Sequence, residues 1–234
     1  MYHIWYICEM EKGCENCSCH AKASLLMCGQ CLDALNSNHA VVRFAKGDSI
    51  IKQGTYSTNV AFLREGLARM HLKGPSYEQI TRIVKAPSYL GLATTFGNNI
   101  NQYSLTAISD AEVCFIDITI FRKLLKENYQ FSFGIIKELC QNELESFRHC
   151  ANRTQKQARG NLADVLLEFS DSIFKSDIFT LPLSQSEISN LIDTSRESVS
   201  RMLSELCKDG IIKMTGKQIE ILNKRSLVLI SQNA

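Results

Sequence analysis

Long apolar runs are missing from this 234-residue chain. A membrane-spanning helix, which needs roughly 20 consecutive apolar residues, is therefore not expected. An excess of one charge sign is missing too: 26 Lys and Arg stand against 24 Asp and Glu, a net charge of +2. Composition alone thus makes no case for a nucleic-acid partner; the placement of the charges has to make it. Proline is scarce, and none falls between Pro87 and Pro182, so long helices are permitted there. The five histidines (His3, His20, His39, His71, His149) are scattered, with no His-x-His pair. That argues against haem sensing and against a clustered-ligand metalloenzyme, and no enzyme is expected. The opening residues, Met1 to Met10, are apolar but hold no Lys or Arg and no small-residue cleavage site. They do not read as a signal peptide, Met10 is an alternative start, and the chain is expected to stay in a reducing cytoplasm.

Cysteine, by contrast, is abundant. Of ten, six (Cys8, Cys14, Cys17, Cys19, Cys28, Cys31) fall within the first 31 residues. In a reducing compartment such clustering argues for metal or redox chemistry rather than a disulfide framework. Cys14-x2-Cys17 followed by Cys28-x2-Cys31 has the spacing of a four-thiolate zinc knuckle. Thiolates suit iron–sulfur clusters equally well, and free, redox-reactive or structural thiols are a third outcome. Cys114, Cys140, Cys150 and Cys207 lie among apolar residues, where a thiol serves as a small hydrophobe.

Beyond the Cys-rich segment 1–40, three patterns follow. From 41 to 117, short β-prone runs alternate with turn residues: Val41–Phe44, Ile50–Ile51, Val60–Leu63, Leu67–Leu72, Gln79–Val84, Tyr103–Ile108 and Val113–Ile116. Turn signals such as Lys46-Gly47-Asp48 and Glu65-Gly66 recur about every ten residues, which predicts an all-β roll or barrel. From 118 to 154 the period becomes helical. Phe121, Leu124 and Leu125 open it, and Phe131, Ile135, Leu139 and Phe147 continue a stripe at helical spacing. A long helix with such a stripe predicts a dimer seam through those residues, or else packing against its own roll. Residues 155–234 read as a compact domain of helices with a small hairpin, its first helix carrying Leu162, Val165, Leu166 and Phe169 on one face. The fold class expected is α+β.

Within that last region two capping boxes stand ten residues apart. Ser184-Gln185-Ser186-Glu187 and Thr194-Ser195-Arg196-Glu197 each pair a hydroxyl N-cap with Glu three residues on. The first helix turns Ile188 and Leu191 inward; the second turns Val199, Met202, Leu203 and Leu206 inward. Asp193 in the connection suits the left-handed conformation of a tight turn. The outward residues of the second helix are then Arg196, Glu197, Ser200 and Arg201, in the N-terminal half that reaches base edges in a helix-turn-helix. Arg donates to guanine, Glu accepts from cytosine, and Ser serves several bases. A surface ion pair between Glu197 and Arg201 is the plainer alternative. Ile211–Met214 and Lys217–Ile221 around Thr215-Gly216 predict a two-stranded wing, with Lys213 and Lys217 placed for phosphates. Double-stranded DNA is the expected partner. A ligand-binding or zinc-binding roll whose C-terminal helices serve structure alone is the alternative, and a salt-dependent gel shift separates the two.

From Val41 to the C-terminus the layout resembles the Crp/Fnr family: a cyclic-nucleotide-binding-like β-roll (a double-stranded β-helix), a long dimerisation helix and a winged helix-turn-helix. Glu197-x-x-Ser200-Arg201 is similar to the pattern of Fnr-type members, which implies Glu197, Ser200 and Arg201 as readers of inverted repeats with TTGA half-sites. The resemblance also implies a homodimer that works with RNA polymerase as a transcription regulator. Asp193 departs from the Gly of many relatives. Cyclic-nucleotide binders of the family carry Gly-Glu-Leu and an Arg-Ser or Arg-Thr pair. Here Leu90-Gly91-Leu92-Ala93-Thr94 and Asn101-Gln102-Tyr103-Ser104 lack both the carboxylate and the phosphate-binding Arg, so cAMP is not the expected effector. The N-terminal thiols look more like those of an oxygen-sensing Fnr, with an iron–sulfur cluster held by closely spaced Cys and one distant Cys. Cys14 and Cys17 match the first pair and Cys114 the distant ligand, while Cys19 is nearer and Cys28 farther than the family's spacing. The resemblance so implies sensing of redox state, oxygen or nitric oxide.

Overall fold

The computed structural model describes residues 38–75 and 77–233, in two compact units. Of the described residues, 38–75 and 81–144 form one unit, and 77–80 and 145–233 the other. Among the described residues no helix is long and apolar enough to cross a membrane.

Eight strands, all in the first unit except the first three residues of the fifth, form two four-stranded antiparallel sheets. They are β1 (His39–Phe44), β2 (Ser49–Ile51), β3 (Asn59–Glu65), β4 (Leu67–Lys73), β5 (Glu78–Lys85), β6 (Ser88–Leu90), β7 (Ser104–Ala107) and β8 (Ala111–Asp117). The sheets run β1-β8-β3-β6 and β2-β7-β4-β5, and the non-sequential order is that of a roll. Each expected β-run falls on a strand; β6 and the short helix α1 (Leu92–Gly97) are additions. Glu65-Gly66 turns β3 into β4. Gly66 has φ +90°, and a Cβ there would lie 2.3 Å from the Asp110 carbonyl oxygen, so no other residue fits. Inside the roll, Phe44, Leu63, Ala68, Val84, Leu105 and Val113 pack together.

The helical stretch is divided rather than continuous. Helix α2 (Ile118–Glu127) opens on Asp117, whose carboxylate accepts from the Thr119 and Ile120 amides. Those bonds hold the Asp117 carboxyl below its ordinary range. Asn128 then leaves helical geometry, closes α2 by donating to the Leu124 carbonyl, and opens α3 (Tyr129–Gln155) by accepting from the Phe131 amide at 2.9 Å. One residue thus ends one helix with its backbone amide and starts the next with its side chain. Phe62, Tyr89, Phe121 and Phe131 form a chain of tilted or edge-on rings between sheet and helices, at centroid spacings of 4.9, 5.6 and 5.4 Å.

This packing corrects the expected seam. Phe131 and Ile135 are buried within their own unit, against Phe121 and Leu124, and Leu139 packs on the same cluster. They belong to the core of the protomer. Of the four residues assigned to a dimer contact, Phe147 alone is exposed. The apolar stripe that α3 leaves uncovered is another one: Tyr129, Phe133, Ile136, Cys140, Leu144 and Phe147, spaced at threes and fours.

In the second unit, α4 (Ala158–Glu168) passes into a wide turn of helix at Phe169–Phe174 and then β9 (Ile178–Thr180). Helices α5 (Gln185–Ile192) and α6 (Arg196–Lys208) follow, then β10 (Ile212–Thr215), β11 (Gln218–Ile221) and α7 (Lys224–Asn233). The wing has three strands, in the order β10-β11-β9, because Ile219 pairs with Phe179 as well as with Met214. Leu162, Leu166, Phe169, Leu203, Leu206 and Leu227 are among its fully enclosed side chains.

Candidate nucleic-acid interface

Helix α5 begins at Ser184 with both bonds of a capping box: its hydroxyl accepts from the Glu187 amide, and the Glu187 carboxylate accepts from the Ser184 amide. It ends at Asp193, at φ 57° and ψ 58°, the left-handed turn expected of that residue. Helix α6 starts one position later than its spacing suggested. Its N-cap is Ser195, which accepts from the Ser198 amide at 3.1 Å, and Thr194 and Glu197 form no capping box. Thr194 and Ser195 are adjacent hydroxyls, so the sequence offered both frames, and Ser195 takes the cap.

Burial then separates the two sides of α6. Val199, Met202, Leu203 and Leu206 are enclosed, together with Ile188, Leu191 and Ile192 of α5. Arg196, Glu197, Ser200 and Arg201 are all exposed, in the first half of the helix. Among the described residues no hydrogen bond or ion pair engages the side chains of Arg196, Glu197 or Arg201. The surface ion pair between Glu197 and Arg201 is therefore not formed. Charged donors and an acceptor held outward without internal partners can bond to base edges without first breaking an internal contact.

The helix is anchored at its far end. Arg159 on α4 reaches Asp209 at 2.8 Å and Glu205 at 3.4 Å, close to the C-cap of α6. These groups are well exposed, so the ion pairs contribute less than the apolar packing beneath.

The wing presents Lys213 and Lys217, both exposed. Lys217 and Arg196 are brought together: they line one cleft of ≈ 260 Å³ with Ser184, Gln185 and Ser186. Lys213 is on β10 and does not line that cleft. Gln185 and Ser186 were not singled out from sequence, where they counted merely as the interior of a capping box. At the first turn of α5 their amides and side chains sit at the positive end of a helix, beside two cations, a setting suited to phosphate.

On the roll, Gly91 takes a left-handed conformation and starts α1. Thr94 Oγ1 shares its one proton between the Gly91 carbonyl at 2.9 Å and Asn101 Oδ1 at 3.1 Å, and Asn101 Nδ2 donates to Thr55 Oγ1 at 3.0 Å. Thr94, Thr95 and Asn101 are buried. These neutral groups satisfy one another.

Residues 160–230 match the family model described as a Crp-like helix-turn-helix domain, and residues 41–128 match that of a cyclic nucleotide-binding domain. The chain belongs to the Crp/Fnr family. It is 25% identical over 235 residues to the transcriptional activator protein FnrA of Stutzerimonas stutzeri, covering 97% of this chain and 95% of that protein. To the electron transport regulator A of Shewanella oneidensis it is 24% identical over 195 residues, covering 81% and 77%. FixK2 of Bradyrhizobium japonicum has a similar fold, with a TM-score of 0.76 at 21% identity, over 84% of this chain and 98% of that one. As a Crp/Fnr protein it is a transcription regulator with a DNA-binding helix-turn-helix.

For a Crp/Fnr regulator with so many thiols, an iron–sulfur cluster is the cofactor to test against the residues present. Cys14, Cys17, Cys19 and Cys28 lie outside the described residues. Among the described ones, no group of three or more His, Cys, Asp or Glu side chains is placed to hold a metal. Cys114 is buried in the cluster of Val60, Phe62, Tyr89, Phe121 and Phe131. The described residues alone therefore do not make a metal centre, for iron–sulfur or for zinc.

Proposed function

We propose that this regulator is a homodimer that reads inverted repeats with TTGA-like half-sites and responds to redox state, oxygen or nitric oxide rather than to cAMP. The observation that carries the DNA reading is the outward face of α6, where Arg196, Glu197, Ser200 and Arg201 stand exposed over a fully packed inner face. In the major groove, Arg201 and Arg196 donate to purine edges or phosphates, Glu197 accepts from a base amino group, and Ser200 takes either role. Lys213, Lys217 and the first turn of α5 hold phosphates and set the register, which adds affinity but no sequence information.

Dimerisation is proposed through the uncovered stripe of α3, Tyr129, Phe133, Ile136, Cys140, Leu144 and Phe147. Six apolar or thiol side chains at threes and fours suit a second copy of the same helix. A symmetric pair of α6 helices set about one duplex turn apart, roughly 34 Å, would meet the two halves of an inverted repeat. RNA polymerase is the downstream partner proposed from the family.

Against cAMP stands the closed network of Thr94, Asn101 and Thr55, which supplies no charge to a cyclic phosphate. For redox sensing the support is the density of thiols in 1–40 and the name of the electron transport regulator among the relatives. Cys114 is the buried thiol through which a change would be felt, since it lies in the same buried cluster as Phe121 of α2 and Phe131 of α3.

The test is a gel shift of the full chain on a duplex with an inverted TTGA repeat, titrated with salt. Binding that exceeds that of a scrambled duplex and weakens steeply with salt is expected. Equal affinity for both duplexes would end the sequence-specific reading.

A further inference from the structure

A helix leaves its last carbonyls without partners inside the helix. At the C-terminal end of α5 two side chains from elsewhere in the same unit supply them, and a third binds the carboxylate of the turn residue. Arg153 Nη2 donates to the Leu191 carbonyl at 3.0 Å and to the Ile80 carbonyl at 3.1 Å. Gln79 Nε2 donates to the Asn190 carbonyl. Tyr77 Oη donates to Asp193 Oδ1 at 2.7 Å. Asp193 is the left-handed residue that turns α5 into α6. Glycine would take that backbone without steric cost, whereas an aspartate pays for its Cβ and brings a carboxylate. That carboxylate is what Tyr77 binds. The hydrogen bond and the negative charge of Asp193 in turn hold the Tyr77 phenol above its ordinary pKa, with Arg153 opposing them.

We propose that Tyr77, Gln79 and Arg153 are positioning residues for DNA recognition: a clasp that fixes the end of α5, with Asp193 as the group it holds in the turn. None of them is on the outward face of α6, so they act through the turn and not on bases. Gln79 and Ile80 belong to β5, a strand whose remaining residues, Thr81–Lys85, count with the first unit. The proposal rests on α6 being the helix that reads DNA.

Full-length parent, Tyr77→Phe, Asp193→Gly and the double variant, each titrated on the inverted-repeat duplex and on its scrambled counterpart, test the clasp. Tyr77 is 52% exposed, so loss of its hydroxyl leaves the fold intact, and thermal unfolding checks this. Tyr77→Phe is expected to weaken specific binding about three- to ten-fold, the size of one hydrogen bond. In the Asp193→Gly background the same change is expected to do nothing, because its partner is gone. Specific binding by Tyr77→Phe equal to that of the parent overturns the clasp, as does an equal loss in both backgrounds. A parent that does not discriminate the two duplexes removes the DNA reading itself, and the clasp with it; the parent titration alone shows which has failed.

Discussion

Arg201 stands exposed on α6, five residues after the helix starts, with no internal partner among the described residues. An arginine so placed is worth more to a complex than to the free protein. Arg201→Ala should cost on the order of 1–3 kcal/mol of binding and relax preference at one base pair of each half-site. Competition between duplexes that vary at single positions checks it, and an unaltered preference would remove Arg201 from the reading face. Cys114 is the opposite kind of residue, enclosed by aromatic and aliphatic neighbours. Cys114→Ala should leave DNA binding in place while blunting the response to oxygen or nitric oxide. Unchanged regulation in that variant would show that the thiol serves packing alone.

At the scale of elements, caps decide where the reading helix begins. The reciprocal bonds of Ser184 and Glu187 place the start of α5 firmly, and Ser184→Ala should lower stability by about 1 kcal/mol in denaturant unfolding. The two expected boxes were not equally legible. Ser184 has a single hydroxyl in cap position, and the structure agrees with it. Thr194 and Ser195 are adjacent hydroxyls, so local chemistry allowed two frames, and the structure takes the later one. The break at Asn128 has the same character. Asn serves as both C-cap and N-cap, but a residue of that type inside a helical period is also tolerated as a surface position, and the period alone continues through it.

At the scale of the molecule, α3 has two apolar stripes, and its own unit covers one of them. Phe131, Ile135 and Leu139 pack on the roll; Phe133, Ile136, Leu144 and Phe147 face outward. Phe131→Ala should therefore cost about 3–5 kcal/mol of protomer stability, as deletion of a buried ring does. Ile136→Glu should instead leave the protomer folded and shift it from dimer to monomer in sedimentation, with loss of inverted-repeat binding. A dimer that survives Ile136→Glu would place the seam elsewhere.

Sequence by itself determined seven of the roll's eight strands, the inward and outward faces of α5 and α6, the left-handed turn at Asp193 and the β10–β11 hairpin of the wing. Each of these depends on a local period or on the conformational range of one residue type, and both are readable along a chain. Tertiary structure decided which stripe of α3 is core, which hydroxyl caps α6, and that Arg196, Lys217 and the first turn of α5 share one cleft. It also decided that Tyr77 and Arg153 meet the end of α5, 116 residues from Tyr77 to Asp193. Those outcomes rest on partners distant in sequence, and a helical period with two apolar faces carries no mark of which one its own protomer will cover.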